Sequence, residues 1–112
     1  MTEERSIEVS GLAIRSERTD GLAMVAVSGD LSIANADALD QELQREHEAG
    51  ASEIMLDLSN LDFIDTTGVR MLYVAYTRAR ESGDRFRMIR GPAPVQRVLD
   101  SHGLGNLFPF ID

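Results

Sequence analysis

Two adjacent threonines, Thr66 and Thr67, stand between an aspartate and a glycine in segment 65–68. An apolar run precedes them and a helical pattern follows, so the spacing places both hydroxyls at the start of a helix. The first turn of a helix leaves about four backbone N–H groups unpaired and carries a partial positive charge, which favours an anionic group. Gly68 keeps that turn bare, so another protein can approach the hydroxyls. Ordinary helix capping by these residues is the other interpretation, and it stays open.

Other chemistries have little support in the sequence. The chain has no cysteine, which removes disulfides, thiolate catalysis and Cys-type metal sites. His47 and His102 are too far apart to form a His-x-x-x-His metal site. There is no G-x-S-x-G nucleophile elbow, no G-x-x-x-x-G-K phosphate loop and no lysine. We therefore expect no catalytic residues, no cofactor and no metal.

Length and composition predict one globular domain over residues 1–112, with 43% hydrophobic and 27% charged residues. The net charge of −8 argues against binding to nucleic acid. No apolar run approaches about 18 residues, so we expect no membrane span. The acidic N-terminal residues do not resemble a signal peptide, and a cytoplasmic location is the expectation.

The apolar pattern predicts strands and helices that alternate after an opening hairpin. Strands are predicted at 7–14, 22–28, 53–58 and 86–89, with an optional edge strand at 107–111. Asp20-Gly21 is the turn signal between the first two strands. Helices are predicted from 33 or 35 to 49, from 66 or 67 to 81, and from about 91 to the glycine at 103, and residues 60–65 are predicted to form a loop.

The predicted core stripes of the first two helices include Ile33 and Tyr73, while Glu42 and Glu46 are predicted to face water. The fold class is therefore α/β, a single domain with a mixed sheet of four to five strands and helices packed mainly on one face.

The segment from 56 to 70 reads LDLSNLDFIDTTGVR and resembles the signature of the STAS domain family. The strand end at 29–32, GDLS, resembles the G-E-L-D of that family, and segments 79–83 and 95–99 resemble its later landmarks. The resemblance covers nearly the whole chain in order, and within the family it points to the anti-sigma factor antagonists.

The resemblance implies that Thr67 is the phosphorylated residue. It implies a partner that is both an anti-sigma factor and a Ser/Thr kinase of GHKL type, bound only by the unphosphorylated antagonist. The chain departs from the family pattern by having Thr67 where a serine is usual and Ser32 where an aspartate is usual. The partner-binding residues implied are Asp30, Ser32, Asn35, Asp65, Thr66, Gly68, Val69 and Arg70.

Two alternatives remain at this point. The chain also fits a STAS accessory subunit that docks constitutively on the ATPase of a lipid-transport ABC system, or on a stress-signalling assembly. A small enzyme or nucleotide-binding protein is the third class. An exposed edge strand allows either a monomer or a weak homodimer.

Overall fold

The computed structural model describes residues 2–111, which form one six-stranded sheet and three helices. The strands lie in the sheet in the order in which they occur along the chain. They are β1 Thr2–Val9, β2 Leu12–Thr19, β3 Leu22–Leu31, β4 Glu53–Ile64, β5 Arg85–Ile89 and β6 Phe110–Ile111. The helices are α1 Ala36–Glu48, α2 Thr66–Ser82 and α3 Ala93–Ser101.

Two hairpins open the chain, where the sequence predicted one. The turn at Asp20-Gly21 is confirmed, with both residues at positive φ. The prediction of a single strand over 7–14 is wrong, because Ser10 and Gly11 also adopt positive φ and reverse the chain. As a result Ile7 and Ile14, predicted on one strand, lie opposite each other on β1 and β2.

The remaining strands are parallel and connected by the helices. β3, β4, β5 and β6 pair in parallel, and each successive strand is added on the same side of the last. Right-handed crossovers with that order place all three connecting helices on one face of the sheet. In agreement, the buried strand residues share one face, and the core combines them with helix residues such as Leu39, Leu72 and Leu99. The expected α/β fold with a mixed sheet is therefore confirmed, with six strands instead of four or five.

The two central strands are longer than the sequence predicted. β3 continues to Leu31 and β4 to Ile64, with register shifts between Ala26 and Ser28 and between Gly29 and Asp30. The predicted loop over 60–65 is mostly strand, because residues in it keep pairing with the end of β3. β4 consequently leads into α2 through one residue, Asp65.

Two predicted core residues are exposed. Ile33 is 77% exposed, because α1 begins only at Ala36 and Ile33 lies in the turn before it. Tyr73 is exposed as well, because the buried stripe of α2 runs through its neighbours Met71, Leu72 and Ala75.

Two glutamates of α1 that were predicted to face water are buried. Glu42 and Glu46 are only 3% and 4% exposed. Glu42 accepts hydrogen bonds from Ser16 Oγ at 2.7 Å and from Arg5 Nε at 3.1 Å. Arg18 Nη1 donates to both carboxylate oxygens of Glu46, at 2.9 and 2.7 Å. These bonds fasten the first hairpin to α1, so the charges are paired in the interior.

Candidate functional site

The start of α2 is fixed by the side chain of Asp65. Its Oδ1 accepts a hydrogen bond from the N–H of Gly68 at 2.8 Å, and its backbone is extended, as at a regular N-cap. Its Oδ2 accepts from the N–H of Ile33 at 2.9 Å, in the turn that follows β3. The Asp65 N–H donates to Leu31 O at 3.1 Å. Asp65 therefore joins the helix start to the neighbouring turn, and the capping interpretation is correct for this residue.

The two threonines occupy the first two positions of α2. Thr66 is exposed and Thr67 is partly buried. Within residues 2–111 neither hydroxyl nor the backbone N–H of either residue has a hydrogen-bond partner. The Asp65 carboxylate serves Gly68, and the Asp65 carbonyl accepts from the N–H of Val69. Two free N–H donors thus remain beside two free hydroxyls, at the end of the helix that favours negative charge.

Gly68 is needed on the inner side of the helix. A Cβ at this position lies 2.9 Å from both Ile64 Cγ1 and Leu31 O. The residue is buried and has an ordinary helical φ, so the requirement is for space and not for backbone freedom. The idea that Gly68 keeps the turn bare for an approaching protein is therefore corrected. Its missing side chain lets α2 start close against the ends of β3 and β4.

The turn between β3 and α1 is held by Asn35. Its Oδ1 accepts from the N–H of Ser32 at 3.0 Å, and its Nδ2 donates to Asp30 O at 2.8 Å and to Ser10 O at 3.0 Å. The side chain is 2% exposed and occupies the N-cap position of α1 without making a side-chain cap bond. Asn35 thus gives one fixed shape to the turn beside the threonines.

The structure brings the residues implied as partner-binding to one end of the sheet, around the ends of β3 and β4. Asp30, Thr66 and Arg70 are exposed, and Ser32 and Asp65 are partly buried. The remaining three are buried and can support this surface only from beneath: Asn35, Gly68 and Val69.

Two exposed apolar residues at the same end were missed. Ile33 was predicted to lie in the core stripe of the first helix, and Phe63, which is 51% exposed, lies in the segment predicted to form a loop. Their position in the sequence could have indicated that they lie at the site, since each is within two residues of an implied site residue. The apolar side chains of these two residues, taken alone, favoured the prediction that they are buried.

The part of the chain that the structure describes contains no cluster of three or more His, Cys, Asp or Glu side chains able to hold a metal ion. It contains no helix long and apolar enough to cross a bilayer. A groove of about 130 Å³ between the C-terminal halves of α1 and α2 is lined by residues such as Leu43, Ala75 and Phe86, and none of the implied site residues lines it.

The fold and the site together define an α/β domain with a mixed sheet that presents two hydroxyls at a helix N-terminus. The family model described as STAS domain matches residues 13–112. The chain belongs to the STAS domain family. The first hairpin strand, β1, lies before the matched residues.

Individual proteins show the same relationship. The chain is 30% identical to the anti-sigma F factor antagonist of Paenibacillus polymyxa over 105 residues, covering 90% of this chain and 87% of that protein. The crystal structure of an anti-sigma factor antagonist from Mycobacterium paratuberculosis is similar with a TM-score of 0.78, 24% identity, and coverage of 88% and 84% of the two chains.

The fold is also similar to that of the antagonist SpoIIAA. Its unphosphorylated form gives a TM-score of 0.70 at 16% identity, covering 98% of this chain and 87% of that chain. Its phosphorylated form gives 0.65 at 14% identity, covering 98% and 90%.

Proposed function

We propose that this protein is an anti-sigma factor antagonist controlled by phosphorylation of Thr67. Unphosphorylated, it binds an anti-sigma factor that is also a GHKL-type Ser/Thr kinase, and so releases the sigma factor. The kinase ends the interaction by phosphorylating Thr67. The observation that carries the proposal is the placement of the Thr67 hydroxyl on the first turn of α2, beside unpaired N–H groups.

The relatives support the antagonist role. A protein 30% identical to this chain over most of its length is an anti-sigma F factor antagonist. The fold matched here is shared by a phosphorylated and an unphosphorylated form of one antagonist, so this architecture accommodates phosphate.

The geometry of the site also supports a mechanism for the switch. A phosphate adds about −1.5 to −2 charges and three acceptor oxygens. The free N–H groups of Thr66 and Thr67 can donate hydrogen bonds to some of those oxygens, so the domain stays folded. The exposed Asp30 and the carboxylate of Asp65 already make the surface acidic. Phosphorylation therefore weakens docking through like-charge repulsion and desolvation, and a coupling of about 3 kcal/mol lowers affinity by roughly two decades.

Phosphorylation by the cognate kinase with ATP tests the proposal. We expect phosphate on the wild type and on Thr66→Ala, but none on Thr67→Ala. Thr67→Ser restores a hydroxyl, and we expect it to be phosphorylated at least as fast as the wild type. Without ATP the kinase can bind but cannot phosphorylate. Under these conditions Thr67→Asp should bind the kinase more weakly than Thr67→Ala does, as measured by calorimetry.

Phosphate on Thr67→Ala at the wild-type level rejects Thr67 as the acceptor. Copurification with a transport ATPase, together with the absence of phosphate on Thr67 in cells, supports the accessory-subunit alternative instead.

A further inference from the structure

Ile33 is the most exposed large apolar side chain in the described part of the chain, at 77%, and Phe63 follows at 51%. Single exposed apolar residues are common on protein surfaces. These two, however, lie at the same end of the sheet. Phe63 pairs with Asp30 across β3 and β4, and Ile33 follows the end of β3 by two residues. We call Ile33 and Phe63 the apolar pair, because each is tied to Asp65, the residue before the threonines: Ile33 by its N–H bond to the carboxylate, and Phe63 by lying two residues earlier on β4.

The backbone under this apolar pair is fixed. The N–H of Ile33 donates to Asp65 Oδ2, and the same carboxylate caps α2 through Gly68. Asn35 closes the turn that carries Ile33 through its bond with the N–H of Ser32. Phe63 belongs to a paired strand. Exposed apolar side chains on a preformed backbone lose little conformational entropy when they bind, which suits them to contact a partner.

Three carboxylates lie next to the apolar pair, whereas Arg70 is the one basic residue among those implied as partner-binding. Asp30 and Asp62 are exposed next to Phe63, and Asp65 lies beneath Ile33. A complementary surface must therefore combine apolar recesses with a basic rim. A second copy of this chain does not meet that requirement, because facing two such surfaces brings their carboxylates together.

We propose that Ile33 and Phe63 are the apolar anchors of the contact with the anti-sigma factor, which receives them in recesses rimmed by Arg or Lys side chains. The inference rests on the proposed function and adds residues and a partner chemistry to it. Buried apolar anchors at the centre of an interface carry much of its affinity. In this arrangement the acidic side chains set orientation and association rate, and phosphate on Thr67 acts next to the anchors.

Calorimetry with the anti-sigma factor in its ATP-free form tests the inference. We expect Ile33→Ser to weaken binding by about 30-fold and Phe63→Ser by a similar factor. Met24→Ser is the matched control, because Met24 is 37% exposed near the start of β3, six residues before Asp30 and therefore towards the opposite end of the sheet, and its affinity should equal that of the wild type. Asp30→Asn and Asp62→Asn should reduce the salt dependence of association. Circular dichroism checks that every variant is folded.

The outcomes separate the inference from the proposed function. If Ile33→Ser and Phe63→Ser both bind with wild-type affinity, these residues are not anchors, and the proposed phosphorylation switch is unaffected. A wild type that binds no anti-sigma factor rejects the proposed function, and the inference falls with it. A homodimer in sedimentation that Ile33→Ser dissolves assigns the pair to self-association and overturns the proposed partner.

Discussion

Asn35 shows how a single buried polar side chain can hold the turn beside the two threonines in shape. It makes three hydrogen bonds to the main chain, at Ser32, Asp30 and Ser10, and thereby ties the first hairpin turn to the turn before α1. No apolar side chain can replace these bonds. The hydrogen bonds of the fold therefore explain why this residue is an asparagine.

Asn35→Ala should lower the free energy of unfolding by about 3 kcal/mol, because it leaves three main-chain groups without partners near the interior. Urea denaturation measures the change. Asn106→Ala is the control, since Asn106 is exposed, and its stability should match that of the wild type. Equal midpoints for the two variants contradict this account of Asn35.

Gly68 gives a second prediction at the residue scale. Replacing a helical glycine with alanine ordinarily stabilises a helix, by about 0.5–1 kcal/mol in the middle of a helix, whereas Gly68 lies in the first turn. Here the new Cβ meets Leu31 O and Ile64 Cγ1 at 2.9 Å, and a backbone oxygen cannot move away easily. We expect Gly68→Ala to destabilise the protein by about 1–3 kcal/mol, as overpacking does. Thr77→Ala, on the outer part of the same helix, serves as the control and should be neutral or slightly stabilising in thermal melts.

At the scale of elements, β1 is attached to the rest of the domain in two ways: by pairing with β2 and by an ion pair with α1. Its partner strand β2 supplies Arg18 and Ser16, which bind the buried carboxylates of α1 together with Arg5 of β1 itself. The hairpin and the helix are consequently one unit, although β1 precedes the residues matched to the family.

Arg18→Ala should cost about 3 kcal/mol in unfolding free energy, because it strands the buried carboxylate of Glu46. Arg15→Ala is the matched control on the same strand. Arg15 approaches Glu4 only to 3.9 Å, with both side chains mostly exposed, so its loss should cost less than about 1 kcal/mol. Comparable losses in guanidinium titrations of both variants disprove a special role for the buried pair.

Sequence reasoning succeeded where structure is locally determined. The start of α2 was predictable, because the Asp65 carboxylate accepts from the N–H of Gly68, only three residues later, and such capping depends on local sequence. The burial of Glu42 was not, because its partners Arg5 and Ser16 lie on strands distant in sequence. The prediction that Ile33 is buried failed for a related reason. Apolar spacing cannot show that the helix begins three residues later.

On the scale of the whole molecule, the protection of backbone amides from hydrogen exchange should decrease from the centre of the sheet to its edges. β3 and β4 lie between strands that are themselves paired on both sides, β2 and β5 each lie next to an edge strand, and β1 and β6 each have one neighbour. Strands paired on both sides usually open only in global unfolding. Hydrogen exchange followed by mass spectrometry should therefore find the slowest amides in β3 and β4. Equally slow exchange in β1 contradicts this ranking.

The strands lie in the sheet in the order in which they are synthesised, and this has a consequence for folding during translation. Each strand pairs with the strand synthesised just before it, so a growing chain meets its next partner without waiting for distant segments. Segment 22–82, from the start of β3 to the end of α2, emerges without interruption, and it holds every residue implied as partner-binding, which together form the surface around the threonines. During translation this surface can therefore assemble while β5, α3 and β6 are still inside the ribosome.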